Sequence, residues 1–212
     1  MSGPRPSPVY LAIGVLSWPV VRYLYRLRPV GLEHLPREGG FVLAANHVSN
    51  FDPWPLGLPL FPRRWLRFMA KSELYWWPLR HLLNGSGAFP VRRGLADREA
   101  VRTAIGLVRS GEVVVMFPEG TRRRKGLVKR HQARAHTGAA RIALEARAPL
   151  VPAAIAGTDR LARLGQLRVA YGPAIDLDDL RDTEVHEAAQ TATERLMAEI
   201  ERLHATLGGN RR

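Results

Sequence analysis

A chain of 212 residues, 46% hydrophobic and 24% charged, is long enough to bury one full core and too apolar for a disordered class. It has no cysteine, which excludes disulfides, thiolate metal sites and a cysteine nucleophile. Its 32 Lys and Arg against 19 Asp and Glu, a net charge of +13, call for a polyanionic partner: nucleic acid, an anionic membrane or phosphate-bearing substrates.

The first apolar run, Val9 to Val21, contains Ser17 and Pro19 and is closed by Arg22. A spanning helix needs about 20 apolar residues, so this run is too short for a crossing. Arg5 alone makes a thin n-region, and nothing after Pro19 reads as a signal-peptide cleavage site. Trp18, Tyr23 and Tyr25 beside Arg22, Arg26 and Arg28 mark residues 1–29 as a membrane-interfacial helix, the alternative being a core helix of the domain.

The next strand-like run, 41–46, is apolar through Phe41, Val42, Leu43 and Ala44, as a strand buried on both faces should be. It stops on Asn46-His47, with Asp52 following. Open α/β sheets bind ligands at the C-terminal ends of their strands. A histidine held there by a carboxylate is a general base with its tautomer fixed, whereas a capping His and a turn Asp before Pro53 is the plainer reading of the pair alone.

Further strand-like runs lie at 66–70, 87–91, 113–117, 150–156 and 167–171. Val101, Ala104, Ile105 and Val108 recur at helical spacing, 138–147 is rich in Ala and Leu, and Val185, Ala189, Leu196, Ile200, Leu203 and Leu207 mark one face of a long C-terminal amphipathic helix. Alternating strands and helices without repeat or linker predict a single α/β domain over 30–212 with a largely parallel central sheet flanked by helices. Arg63, Arg64, Arg67 and Arg80 interleave with Trp65, Phe68, Trp76 and Trp77 among Leu, Pro and Val. That company fits a membrane interface rather than a base-stacking platform, so no nucleic-acid partner is expected.

Two more strand ends deliver arginine. Gly87 to Gly94 reads GAFPVRRG, and the run ending at Phe117 leads straight into PEGTRRRKG. Arginine grips phosphate bidentately, and glycine lets backbone approach a ligand.

Asn46-His47-x-x-x-x-Asp52, Gly87-x-Phe89-x-x-x-Arg93, Phe117-Pro118-Glu119-Gly120-Thr121-Arg122 and Leu150-Val151-Pro152 stand in one order over roughly residues 30–175. Together they resemble the glycerolipid acyltransferases, specifically the lysophosphatidic acid acyltransferase (PlsC-like) family. The resemblance implies that His47 deprotonates an acceptor hydroxyl, that Asp52 orients the imidazole, and that no acyl-enzyme forms. It implies substrate-binding positions at Asn46, Gly87, Arg93, Glu119, Gly120, Thr121, Arg122 and Pro152. In that scheme Arg93 and Arg122 hold the acceptor's phosphate, Glu119, Gly120 and Thr121 shape its site, and Pro152 forms pocket wall, since proline cannot serve a central ladder.

The implied partners are an acyl-CoA or acyl carrier protein donor, a lysophospholipid acceptor and an anionic membrane surface, with phosphatidic acid as product and no cofactor or metal. The basic residues Arg123, Arg124, Lys125, Lys129 and Arg130 suit the donor's approach, or form a solvated loop. A lysine frequent in the family before Gly-Ala is absent, the segment reading RHQARAHTGAA, which leaves another lysophospholipid or a glycolipid as alternative acceptor. A non-catalytic lipid-surface protein is the rival class. The implied place is the cytoplasmic face of the cell membrane, peripheral or monotopic.

Overall fold

The computed structural model describes residues 5–92, 97–119 and 135–208. One seven-stranded sheet organises them, built from β1 (Arg28–Val30), β2 (Phe41–Ala45), β3 (Leu66–Lys71), β4 (Ala88–Val91), β5 (Val113–Met116), β6 (Leu150–Ala156) and β7 (Arg168–Tyr171) in the order β1-β7-β6-β2-β5-β3-β4. From β6 to β4 all pairings are parallel; β7 runs antiparallel to β6, and β1 pairs parallel to β7. The expected largely parallel sheet is thus present, with one reversed edge. Because β2, β5 and β6 run the same way, their C-terminal ends and the loops that follow lie along one edge.

Residue parity along β2 builds two cores. Phe41, Leu43 and Ala45 face one side with Val113, Val115, Val151, Ile155 and Tyr171, together with Val21, Leu27 and Leu56 from the covering segments. Val42 and Ala44 face the other side, beneath α4 (Arg98–Arg109), α5 (Gly138–Ala146) and α6 (Val185–Gly208). Each of these helices presents small or branched apolar residues at helical spacing: Ala104, Ile105 and Val108, then Ala139, Ala140 and Ala143, then Ala192, Leu196 and Ile200. Full burial of each larger side chain contributes about 1.5–3 kcal/mol. This explains why both faces of β2 are closed to water and only its end is available for chemistry.

The N-terminal segment behaves differently. Ser7 caps α1 (Pro8–Pro19) by accepting from Tyr10 N, and Pro8 opens the first turn, where its missing N–H costs nothing. Within α1 only Gly14 is buried, against Phe61, whereas Val15 and Leu16 are 62% and 75% exposed. A π-helical turn, Val20–Leu24, then sends Val21 into the core. Among the described residues no helix is long and apolar enough to cross a membrane.

Of the arginines among the Trp residues, two turn inward rather than toward an interface. Arg67 stacks over Trp65, pairs with Glu112 at 3.0 Å and donates to Gly87 O, while Arg64 ties down the carbonyls of Arg37, Gly39 and Gly111. Trp76 and Trp77 remain outward, 60% and 69% exposed, just before α3 (Leu79–Ser86).

Candidate active site

The loop after β2 folds back on itself before α2 (Pro53–Gly57). Asp52 N donates to Ser49 O at 3.2 Å, and Phe51 N reaches Ser49 Oγ at 3.4 Å, so Ser49 is a turn hydroxyl as its sequence position suggests. The turn swings Asp52 beneath His47, with Asp52 Oδ2 lying 2.8 Å from His47 Nδ1. The same oxygen accepts Val48 N at 2.7 Å and Ser49 N at 2.9 Å, and Oδ1 accepts the Thr158 hydroxyl at 2.5 Å. Asp52 is fully buried and its side chain makes no capping bond to α2; it ties the turn backbone and the imidazole together.

These contacts assign the tautomer. A carboxylate that already accepts two backbone N–H groups on Oδ2 and a hydroxyl on Oδ1 has no proton to give His47. The bond to Nδ1 is therefore donated by the imidazole, so that in the neutral ring the lone pair falls on Nε2. The ring is also fixed in plane: Phe117 stacks on it with centroids 4.2 Å apart and planes 18° from parallel. With the side chain 9% exposed, the imidazole is nearly dry but keeps a route to solvent.

Asn46, also buried, reaches sideways to β6, donating to Ile155 O at 3.0 Å and accepting Ile155 N at 2.8 Å. Its side chain anchors the turn rather than pointing at a ligand. Glu119, half-buried, follows directly on Phe117 and Pro118, so the start of the second motif lies against His47. Arg93, Gly120, Thr121 and Arg122 lie outside the described residues, as does the basic run through Arg134.

Gly87 is not brought to His47. It ends α3 at φ 99° and precedes β4, at the N-terminal edge of the sheet; a Cβ there would strike Leu66 O, and its carbonyl accepts Phe68 N and Arg67 Nε. Its glycine is required by the backbone.

Pro152 corrects the expectation that proline avoids a central ladder. It lies inside β6, opposite Ala44 and flanked by β2 and β7. Its carbonyl accepts Gly172 N at 2.9 Å, so the side that lacks an N–H faces Gly172, one residue past the end of β7. No ladder donor is needed there.

The sequence pointed to neither Thr158 nor Phe117 as a partner of the pair. Phe117 was visible as part of a motif, but the stack needs β5 beside β2. Thr158 sits 106 residues from Asp52, and its only local signal is the Gly157-Thr158 turn closing an apolar run.

With this geometry in place, similarity to other proteins becomes informative. The acyltransferase family model matches residues 26–156, which include His47, Asp52, Glu119 and Pro152. The chain is 32% identical over 181 residues to the 1-acyl-sn-glycerol-3-phosphate acyltransferase of Bacillus subtilis, spanning 82% of this chain and 86% of that one. A protein of the same name from Limnanthes douglasii is 28% identical over 169 residues, 70% of this chain and 54% of the relative's length. The crystal structure of the LPA acyltransferase PlsC from Thermotoga maritima shares the fold, with a TM-score of 0.65 at 24% identity over 92% of this chain and 78% of that one. A match over most of the domain, a Bacillus relative aligned nearly end to end and a shared fold agree with one another, and the chain belongs to the acyltransferase family as a PlsC-like enzyme.

Proposed function

We propose that the enzyme transfers a fatty acyl group from acyl-CoA or acyl carrier protein to the free hydroxyl of 1-acylglycerol 3-phosphate, giving phosphatidic acid. The observation that carries the reading is the His47 imidazole at the strand edge, held through Nδ1 by an acceptor-only Asp52 with Nε2 unengaged by that pair, and stacked on Phe117 of the second motif.

In this reading Nε2 takes the proton of the acceptor hydroxyl as its oxygen attacks the thioester carbonyl. The C–O bond forms, the C–S bond breaks on collapse of the tetrahedral intermediate, and the imidazolium returns its proton to the leaving thiolate. Asp52 stabilises the charge that appears on His47 during the step. Arg93 and Arg122 take the acceptor's phosphate, with Gly120, Thr121 and Glu119 shaping the site; Asn46, Gly87 and Pro152 enter through the backbone they hold. The names of the Bacillus and Limnanthes relatives support the acceptor, and the chain's charge of +13 supports anionic substrates.

Membrane attachment completes the proposal: residues 1–29 form an interfacial helix on the acyltransferase domain, 30–212, at the cytoplasmic face. The outward Val15 and Leu16, and Trp76 and Trp77 before the neighbouring α3, support a peripheral or monotopic mode.

The test is thiol release from acyl-CoA and from acyl carrier protein across a panel of lysophospholipids and glycolipids. Release that depends on 1-acylglycerol 3-phosphate above all others is expected. Equal release with a neutral glycolipid would reassign the acceptor, and no release with any acceptor would make the protein a binder.

A further inference from the structure

The His47-Asp52 pair uses only one of the two carboxylate oxygens. Oδ2 serves His47, Val48 N and Ser49 N, whereas Oδ1 is held, among the described residues, by the Thr158 hydroxyl at 2.5 Å. The torsion that rotates a carboxylate is broad and roughly two-fold, so an Asp held through one oxygen is less firmly fixed in rotation than one held through both. Here Asp52 is 0% exposed and Thr158 3%, which leaves water little means of replacing the hydroxyl.

We infer that Thr158 is a positioning residue for acyl transfer, its hydroxyl acting through Asp52 Oδ1 to keep Oδ2 on His47 Nδ1. At 2.5 Å to a carboxylate the bond falls in the short, charge-assisted class. The backbone is arranged to deliver it. Gly157 turns the chain at φ 100°, where a Cβ would stand 2.5 Å from Gln166 O, and the turn drops Thr158 under the sheet edge. The end of β6 therefore grips the histidine from both sides, through Ile155 on Asn46 before it and Thr158 on Asp52 after it. This inference rests on His47 being the base.

Thr158→Val removes the hydroxyl at nearly constant shape, and Thr158→Ser keeps it while removing the methyl. We expect Thr158→Val to lower kcat about 10-fold to 100-fold, with KM for donor and acceptor changed by no more than about two-fold. Its low-field Nδ1–H proton resonance should be lost or moved, and Thr158→Ser should restore both kcat and the resonance. If the valine variant does not fold, Thr158→Ala supplies the same comparison. Wild-type kcat in the variant lacking the hydroxyl overturns the inference, and so does a serine variant as defective as the valine one, because the methyl would then be what matters. His47→Ala measured alongside separates the two levels: an active His47→Ala removes the base itself, whereas an inactive His47→Ala beside a normal Thr158→Val removes only the role of the threonine.

Discussion

Asn46 and Ile155 exchange two hydrogen bonds across 109 residues, so a side-chain amide takes the place that a further residue of β2 would hold against β6. This is why the strand can end and the turn can begin one residue before His47 without leaving the Ile155 N–H and C=O unpaired in a buried setting. Asn46→Ala strands both groups, each at about 1–3 kcal/mol. We expect Tm to fall by several degrees and kcat to fall even well below the new Tm, because the histidine's anchor is lost. Calorimetry and single-temperature kinetics check the two parts separately.

His47→Ala should leave a folded protein with kcat reduced roughly 100-fold to 10,000-fold. Asp52→Asn has one carbonyl oxygen where the native carboxylate serves donors on both sides: Thr158 on Oδ1, and Val48, Ser49 and His47 on Oδ2. With its oxygen toward Val48, Ser49 and His47 the amide turns an N–H on Thr158, whose hydroxyl must then accept instead of donate, and in the flipped orientation it sets an N–H against Val48 N and Ser49 N; either way the negative charge beside the imidazole is gone, so a comparable loss is expected. Circular dichroism on both variants separates chemistry from folding.

In the proposed reading Arg122 holds the acceptor's phosphate. Arg122→Ala should raise KM for a phosphate-bearing acceptor about 10-fold to 100-fold, as expected for losing one charged, bidentate contact, with KM for the thioester nearly unchanged. Arg122→Lys should rescue only in part, an ammonium being a point charge. Steady-state kinetics with each substrate varied in turn give the answer, and equal effects on both would move Arg122 away from the acceptor.

Asp97 holds together the two sides of the segment that contains Arg93. Its carboxylate accepts Arg92 N at 2.9 Å and Ala100 N at 3.1 Å, capping α4, and these backbone bonds hold its pKa below the usual carboxylate value. A depressed folded-state pKa stabilises above the unfolded value and loses that contribution as pH falls through the folded one. Asp97→Asn should therefore lower Tm at neutral pH, and the gap to wild type should close as the pH drops through the acid range below 4. Thermal melts of both proteins from pH 7 to pH 3 test the sign.

Local chemistry decides which of these features the sequence discloses. The central strands are legible because a strand buried on both faces is a continuous apolar run: Phe41–Ala45 and Val113–Met116 need nothing else. His47 and Asp52 are legible because one turn joins them. β1 is not, being three residues around Pro29, with two of the three exposed; only its pairing with β7 makes it a strand. α2 and α3 are too short, and too broken by Pro and Gly, to show a helical period. Thr158 and the Asn46-Ile155 clamp depend on β6 lying beside β2, a contact that no local pattern encodes. Pro152 shows the reverse error, where a sound local rule about proline failed because β7 ends just before the residue it faces.

Attachment to lipid calls for a test that the fold can survive. Deleting the first 28 residues would remove Val21 and Leu27 from the core, along with the Tyr10 hydroxyl that accepts Leu66 N, so loss of binding in such a deletion would not be separable from unfolding. The outward face offers a cleaner variant. Val15 and Leu16 are mostly exposed and belong to neither core, and α1 lies against α3, with Ser7 Oγ donating to Gly85 O, which places the exposed Trp76 and Trp77 on an adjoining element. Val15→Asp with Leu16→Asp should leave Tm nearly unchanged and release the protein from anionic vesicles; Trp76→Ser with Trp77→Ser should weaken binding by a further step. Wild-type binding should also decline as salt rises, since arginines beside the apolar face are screened over a Debye length of about 8–10 Å. Both pairs of variants should keep turnover on a short-chain, water-soluble acceptor, because neither pair contains a residue that touches His47 or Asp52. Vesicle flotation with these four substitutions present and binding undiminished would place the lipid-facing surface elsewhere on the domain.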